Sequence, residues 1–204
     1  MNRLISIDRM HALTDGVFAI VLTLLVILIE PPEGGLSRSA LLADIAGKWH
    51  MIVAYVTSFI LIGIYWWRHH LMFHHLERAN LWVLWLNLLF LMTVAFVPFP
   101  TALLVSYLDT PGAGEVSLVI FNSIHLICTL LLLALWMQIR KILSPNPDDD
   151  QRWQMLLFIW CGIFVLSLAA CLLHRWLAML LLLAVPILNF LPWAPMDAPT
   201  PAEE

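Results

Sequence analysis

Two short stretches hold most of the residues in this chain whose types and spacing could do chemistry. The first, Asp8 to Pro32, reads DRMHALTDGVFAIVLTLLVILIEPP. It places Asp8, Arg9, His11, Thr14 and Asp15 within eight residues, then runs from Val17 to Ile29 without a charge. The second is HHLMFHH, with His69, His70, His74 and His75. His70 and His74 are four apart, a spacing that can present two imidazoles to a metal from one helical face. The only further ligand nearby is Glu77, so the stretch reads as the polar end of a helix and no metal is assigned. His125 stands alone among apolar residues, near Asn122 and Ser123. A single histidine in such surroundings serves as a hydrogen-bonding group or a proton relay. Haem ligation would call for histidine pairs deep in facing helices. No catalytic residue and no cofactor is assigned, and an enzyme is not expected.

The elements that carry these residues are set by hydropathy. Of the 204 residues, 62% are hydrophobic and only 12% charged, against roughly 25% charged in soluble domains. Mean hydropathy is +0.89. A soluble fold of this size keeps too much surface exposed to hide that apolar content, so the composition points to an all-α integral membrane protein in a lipid bilayer. Net charge is −4, which gives no nucleic-acid partner. Cys128, Cys161 and Cys171 lie within apolar runs at no metal-site spacing and read as small core or lipid-facing residues. The N-terminus does not read as a cleavable signal peptide, because Asp8, Arg9 and Asp15 interrupt the place of an apolar core.

Six apolar runs predict six transmembrane helices in one domain over residues 1–193, at about 11–29, 49–67, 81–105, 116–139, 153–173 and 176–191. EPPEGG, DTPGAGE and SPNPDDD break them with residues that cannot continue a helix. Only His174 and Arg175 divide the last two. The tail from residue 194, APMDAPTPAEE after Trp193, is expected to be disordered. With the N-terminus inside, Arg3, Arg9, Arg68, Arg78, Arg140, Lys141 and Arg152 fall on the inner side, against Arg38, Lys48 and Arg175 outside. That asymmetry predicts both termini in the cytoplasm of a multi-pass plasma-membrane protein.

Arg9, Leu13, Gly16, Ile20, Leu24 and Ile27 recur at spacings of 4, 3, 4, 4 and 3 and share one face of the first helix. Thr23 borders it. From periodicity this face is either a packing seam or a functional surface. Asp15 lies about 7 Å into the helix from Met10 at about 1.5 Å per residue, where an ionisable group must face protein or water. Six residues separate it from Arg9, so its donor must come from another helix or another subunit.

RMHALTDGVFAIVLTLL resembles the Arg-x-x-x-Phe-Ser-Asp-Gly signature that opens the first helix of the transmembrane protein 175 family of cation channels. Arg9, Asp15 and Gly16 match it, with Leu13 in place of Phe and Thr14 in place of Ser. YWWRHHLMFHHL is similar to the family's second-helix ending and WLNLLFLMTVAFVPFPTALL to its third helix. Beyond Leu108 only hydropathy agrees. The resemblance implies a six-helix subunit, a homotetramer with the first helix lining the pore, and potassium ions as permeant species, with sodium and protons as further candidates. It implies an apolar gate of Ile20, Leu24 and Ile27, selectivity at Thr23, and a polar network of Arg9, Thr14, Asp15, Gly16, Trp66, His69 and His70. The expected function is a potassium-preferring monovalent cation channel. A secondary cation transporter or a proton-permeable leak channel is the alternative. No TVGYG-like filter is present, so selectivity by rings of backbone carbonyls is not expected.

Overall fold

A computed structural model describes residues 5–192 and 194–200 of the chain. Arg3, Trp193 and residues 201–204 lie outside them. The chain enters through β1 (Ile5–Ser6) and continues into α1 (Ile7–Leu24), whose first turn carries Asp8 at the positive end of the helix dipole. The α-helix tightens into a 3₁₀ turn at Leu25–Leu28 and ends where Ile29 becomes extended, ahead of Pro31 and Pro32. α2 (Arg38–Gly47) is capped by the Ser37 hydroxyl, which accepts from the Ala40 N–H at 3.3 Å. α3 (Trp49–Phe73) follows at once. β2 (Arg78–Ala79) pairs antiparallel with β1, Ile5 opposite Ala79 and Ser6 opposite Arg78, and ties the start of α1 to the turn beyond α3.

Asn80 caps α4 (Leu81–Phe96) by accepting from the Val83 N–H at 2.9 Å. Pro98 then lacks the N–H that would continue the helical ladder, so the third apolar run splits into α4 and α5 (Pro98–Tyr107). α6 (Ala113–Leu143) is the longest helix described, and α7 (Pro147–Cys171) carries Asp148, Asp149 and Asp150 in its first turn. α8 (Arg175–Leu182) and α9 (Ala184–Asn189) complete the bundle.

The protein is an all-α, multi-pass membrane protein. Among the described residues, five segments are long and apolar enough to cross a bilayer: Ile7–Leu28, Trp49–Phe73, Leu81–Tyr107, Ala113–Leu143 and Pro147–Cys171. The sixth expected span, Arg175–Asn189, is shorter and interrupted at Leu183. Its length at 1.5 Å per residue is about 22 Å, less than the roughly 30 Å hydrocarbon thickness.

α6 is the hub, packed against α3, α4, α5, α7 and α8. Trp136, Trp153, Trp160, Tyr65, Phe90, Phe121 and Phe164 fill the core without exposure. α1 stands at the edge on α3 and α4. α1 is the least buried of the five spans, with 22% of its apolar stretch buried against 39–44% in the other four.

Residues 194–200 lie against the body of the protein. The Pro195 carbonyl accepts from Arg68 Nη1. Thr200 donates through its N–H and hydroxyl to Asp149 Oδ2, at 3.2 and 2.8 Å, while the Asn146 N–H donates to the Thr200 carbonyl at 2.9 Å. These contacts satisfy polar groups of Arg68, Asn146 and Asp149.

Candidate functional site

α1 has two faces of different character. Ile7, Met10, Thr14, Phe18, Val21 and Leu25 are buried at spacings of 3, 4, 4, 3 and 4, one stripe packed into the subunit. Phe18 meets Phe90 of α4 with ring centroids 6.0 Å apart. The opposite stripe carries Arg9, Leu13, Gly16, Ile20, Leu24 and Ile27, all exposed. Ile20 is 61%, Leu24 42% and Ile27 70% exposed, values that set these three apart from any core seam within the subunit. Side chains three apart eclipse one another in a 3₁₀ turn, so the tightening after Leu24 brings Ile27 nearly above it. Thr23 is exposed beside them, its hydroxyl directed to the Ala19 and Ile20 carbonyls at 3.0 and 2.8 Å.

Two hydrogen-bond units hold the β1 end of α1 to the subunit. Asp15 Oδ1 accepts from the Trp66 indole N–H of α3 at 2.8 Å. One turn away, the Asn87 side chain of α4 links three helices. Its Oδ1 lies 2.7 Å from His69 Nε2, and its amide nitrogen donates to Thr14 Oγ1 at 3.5 Å. An amide oxygen can only accept, so His69 carries its proton on Nε2. Thr14, His69 and Asn87 are almost wholly buried, where a lost partner is costly.

Of the network residues expected from the sequence, the structure brings together Thr14, Asp15, Trp66 and His69. His70 joins by ring contact, stacked on Trp66 at 5.8 Å and edge-on to His11 at 6.0 Å. Arg9 and Gly16 lie exposed on the far face, outside both units. Asn87 takes its position at the junction of α1, α3 and α4 through the packing of the helices.

A further polar group, Arg68, is buried in a way the sequence did not show. Arg68 is completely buried, its Nε donating to Asn189 Oδ1 at 2.9 Å and its guanidinium lying 4.8 Å from the Trp67 ring centroid and 5.3 Å from that of Trp153. His125 is buried too, with the Tyr65 hydroxyl 3.2 Å from both its Nδ1 and its carbonyl oxygen. Beside His11 a cleft of about 430 Å³ is lined by Asp8, His74, His75 and Glu77. Among the described residues no three His, Cys, Asp or Glu side chains are placed to hold one metal ion.

The arrangement fixes one side of α1 to the subunit and presents an aliphatic stripe with a hydroxyl beside it on the other. Residues 9–98 match the family model described as the endosomal/lysosomal potassium channel TMEM175. A protein of Streptomyces collinus named as a potassium channel is 38% identical over 147 residues, which span 69% of this chain and 69% of that protein. A Chamaesiphon minutus protein, also named as a potassium channel, is 38% identical over 63% of each chain. The human endosomal/lysosomal proton channel TMEM175 is 26% identical over 84% of this chain but only 37% of its own length. Among solved structures, that of a lysosomal potassium-selective channel TMEM175 homolog from Chamaesiphon minutus aligns with a TM-score of 0.80 at 29% identity. The alignment covers 89% of this chain and 94% of that one.

Proposed function

The chain belongs to the TMEM175 family, a family of channels and not of enzymes, and from that premise we propose that it is a potassium-preferring monovalent cation channel. Four copies surround one axis, α1 from each lines the conduit, and Ile20, Leu24 and Ile27 form successive apolar rings. The observation that carries the reading is the outward stripe on a helix whose other face is locked into its own subunit. A pore at a shared axis requires such a helix.

Aliphatic rings gate by dewetting. When narrow they exclude water, and an ion cannot shed its hydration shell into hydrocarbon. When slightly wider they pass partly hydrated cations. Thr23 gives its single hydroxyl proton to its own helix, leaving oxygen lone pairs to replace some water ligands. Such a partial shell favours potassium modestly. Asp15–Trp66 and Thr14–Asn87–His69 hold the polar end of α1, so that movement is confined to its apolar half. The excess of Lys and Arg on the Asp15 side supports both termini in the cytoplasm of a plasma-membrane protein.

The test is Ile20→Asn, with potassium flux measured in liposomes. An amide ring wets the constriction, so flux rises and selectivity changes. Unchanged flux and selectivity would remove Ile20 from the constriction. A proton gradient on the same vesicles decides whether protons share the path, a reading supported by the proton-channel name of the human relative. A second reading, a coupled cation transporter, draws support from the two interrupted spans, α4–α5 and α8–α9. Electrogenic uptake without a counter-ion eliminates it.

A further inference from the structure

α2 is a helix with no buried residue. At 100° per residue its sequence RSALLADIAGK has three sides. Asp44 and Lys48 form one, joined by an ion pair of 2.9 Å, and both are only partly exposed, on the side nearer the bundle. Leu41, Leu42 and Ile45 form the second and are exposed, Leu42 at 58% and Ile45 at 46%. Ala40, Ala43 and Gly47 form the third. This is the reverse of a helix lying on a protein in water, which turns its leucines inward and its charges outward. An inverted helix is stable where its surroundings are apolar.

We propose that α2 lies in the bilayer interface with its Leu41–Leu42–Ile45 side among phospholipid acyl chains just below the headgroups. Three features fix lipid as the occupant. α2 runs into the membrane-spanning α3 through the single residue Lys48, so it begins at the membrane boundary. The adjoining Trp49 is 49% exposed and stacked on Trp176 at 5.4 Å, an indole pair at the depth such rings prefer. Arg38 precedes Leu41, Leu42 and Ile45 by three, four and seven residues, on the same side, where its long stem can carry the guanidinium up to lipid phosphate. The other end of α2 is tethered through residues 29–37 to the 3₁₀ turn that carries Ile27, so the anchored helix holds the end of α1 furthest from Asp15 at a fixed depth. The inference rests on the membrane reading of the fold and not on the pore.

The experiment uses full-length protein in phosphatidylcholine vesicles. Leu42→Cys, Ile45→Cys, Ala40→Cys and Ala43→Cys are labelled one at a time with an environment-sensitive fluorophore, the parent protein serving as the labelling blank for its own cysteines. These positions are exposed, so the substitutions leave the core untouched. Lipids carrying a nitroxide just below the headgroup should quench the labels at residues 42 and 45 at least about twofold more than those at 40 and 43. Equal, weak quenching at all four would place α2 in water and overturn the proposal. Labels at 42 and 45 shielded from water yet unquenched by lipid would place protein against them, a second copy of the chain above all, and overturn it equally. Potassium flux from the same vesicles reads the channel separately, so failure of one reading is not failure of the other.

Discussion

Asn87 is the side chain on which the polar end of α1 depends most, because three helices meet at it and none of its partners reaches water. Asn87→Leu leaves the His69 Nε2–H and Thr14 hydroxyl buried without their partner. Stranding such groups costs about 1–3 kcal/mol, read from unfolding in detergent. Adding His69→Phe to Asn87→Leu should cost less than the sum of the single changes, since the stranded donor is then gone. Trp66→Phe removes a bond between exposed partners and should cost about 1 kcal/mol or less. If Trp66→Phe proved the more damaging change, Asp15 would be more enclosed in the membrane than in the isolated subunit. Asp15 was legible in the sequence because a carboxylate in an apolar helix must be partnered. That Trp66 belongs to the same network followed only from resemblance, and its pairing with Asp15 emerges from helix packing, since no local pattern pairs residues 51 apart. Arg68 was read as one of several charges marking the cytoplasmic side. Its burial depends on Asn189 and Pro195, more than 120 residues away, and no periodicity carries that.

At the scale of elements, the apolar runs located every long helix, while helix ends ran past the apolar stretches. α3 continues to Phe73 and α6 to Leu143, because histidine, arginine and lysine propagate a helix outside the hydrocarbon as well as leucine does inside it. Pro98 divides the third run and Leu183 the last. The division at Pro98 falls at a residue that cannot continue the helical ladder, whereas the shortness of the last pair has no such mark, since apolar composition measures hydrophobicity and not the straightness of the backbone. The corner between α5 and α6 shows what sequence leaves out. Gly112 takes φ +79°, and a Cβ on Gly114 would lie 2.5 Å from the Leu108 carbonyl oxygen and 3.0 Å from that of Tyr107. Backbone cannot yield as a side-chain tip does, so Gly114→Ala should destabilise the protein by about 1–3 kcal/mol. Gly162→Ala, in the middle of α7 with nothing within 4 Å of its new methyl group, should be neutral or stabilising by up to about 1 kcal/mol. Thermal unfolding of both variants in one detergent makes the comparison, and equal midpoints would mean that the α5–α6 corner is looser than its contacts require.

At the scale of the whole molecule, Ile20, Leu24 and Ile27 of α1 face outward from their own subunit. The stripe therefore has two possible neighbours, other copies of α1 or lipid acyl chains, and each makes a different prediction for the same variant. Around a four-fold axis, a constriction tight enough to exclude water brings adjacent copies of the residue close enough for thermal motion to carry their Cβ atoms to the roughly 3.5–4.5 Å that a disulfide spans. Ile27→Cys in liposomes should then form linked dimers under mild oxidation. Val21→Cys, on the buried side of the same helix at 2% exposure, should not. The native cysteines provide an internal control, since Cys128 and Cys171 are buried and Cys161 lies within α7, and the parent protein should stay unlinked. Linked Ile27→Cys protein should also lose potassium flux and regain it on reduction, because the bond pins the rings at their narrowest. If Ile27→Cys stayed monomeric and a label there were quenched by mid-chain nitroxide lipids, the stripe would face acyl chains. Ions would then need another route through the bundle, and α1 would be one more lipid-facing wall.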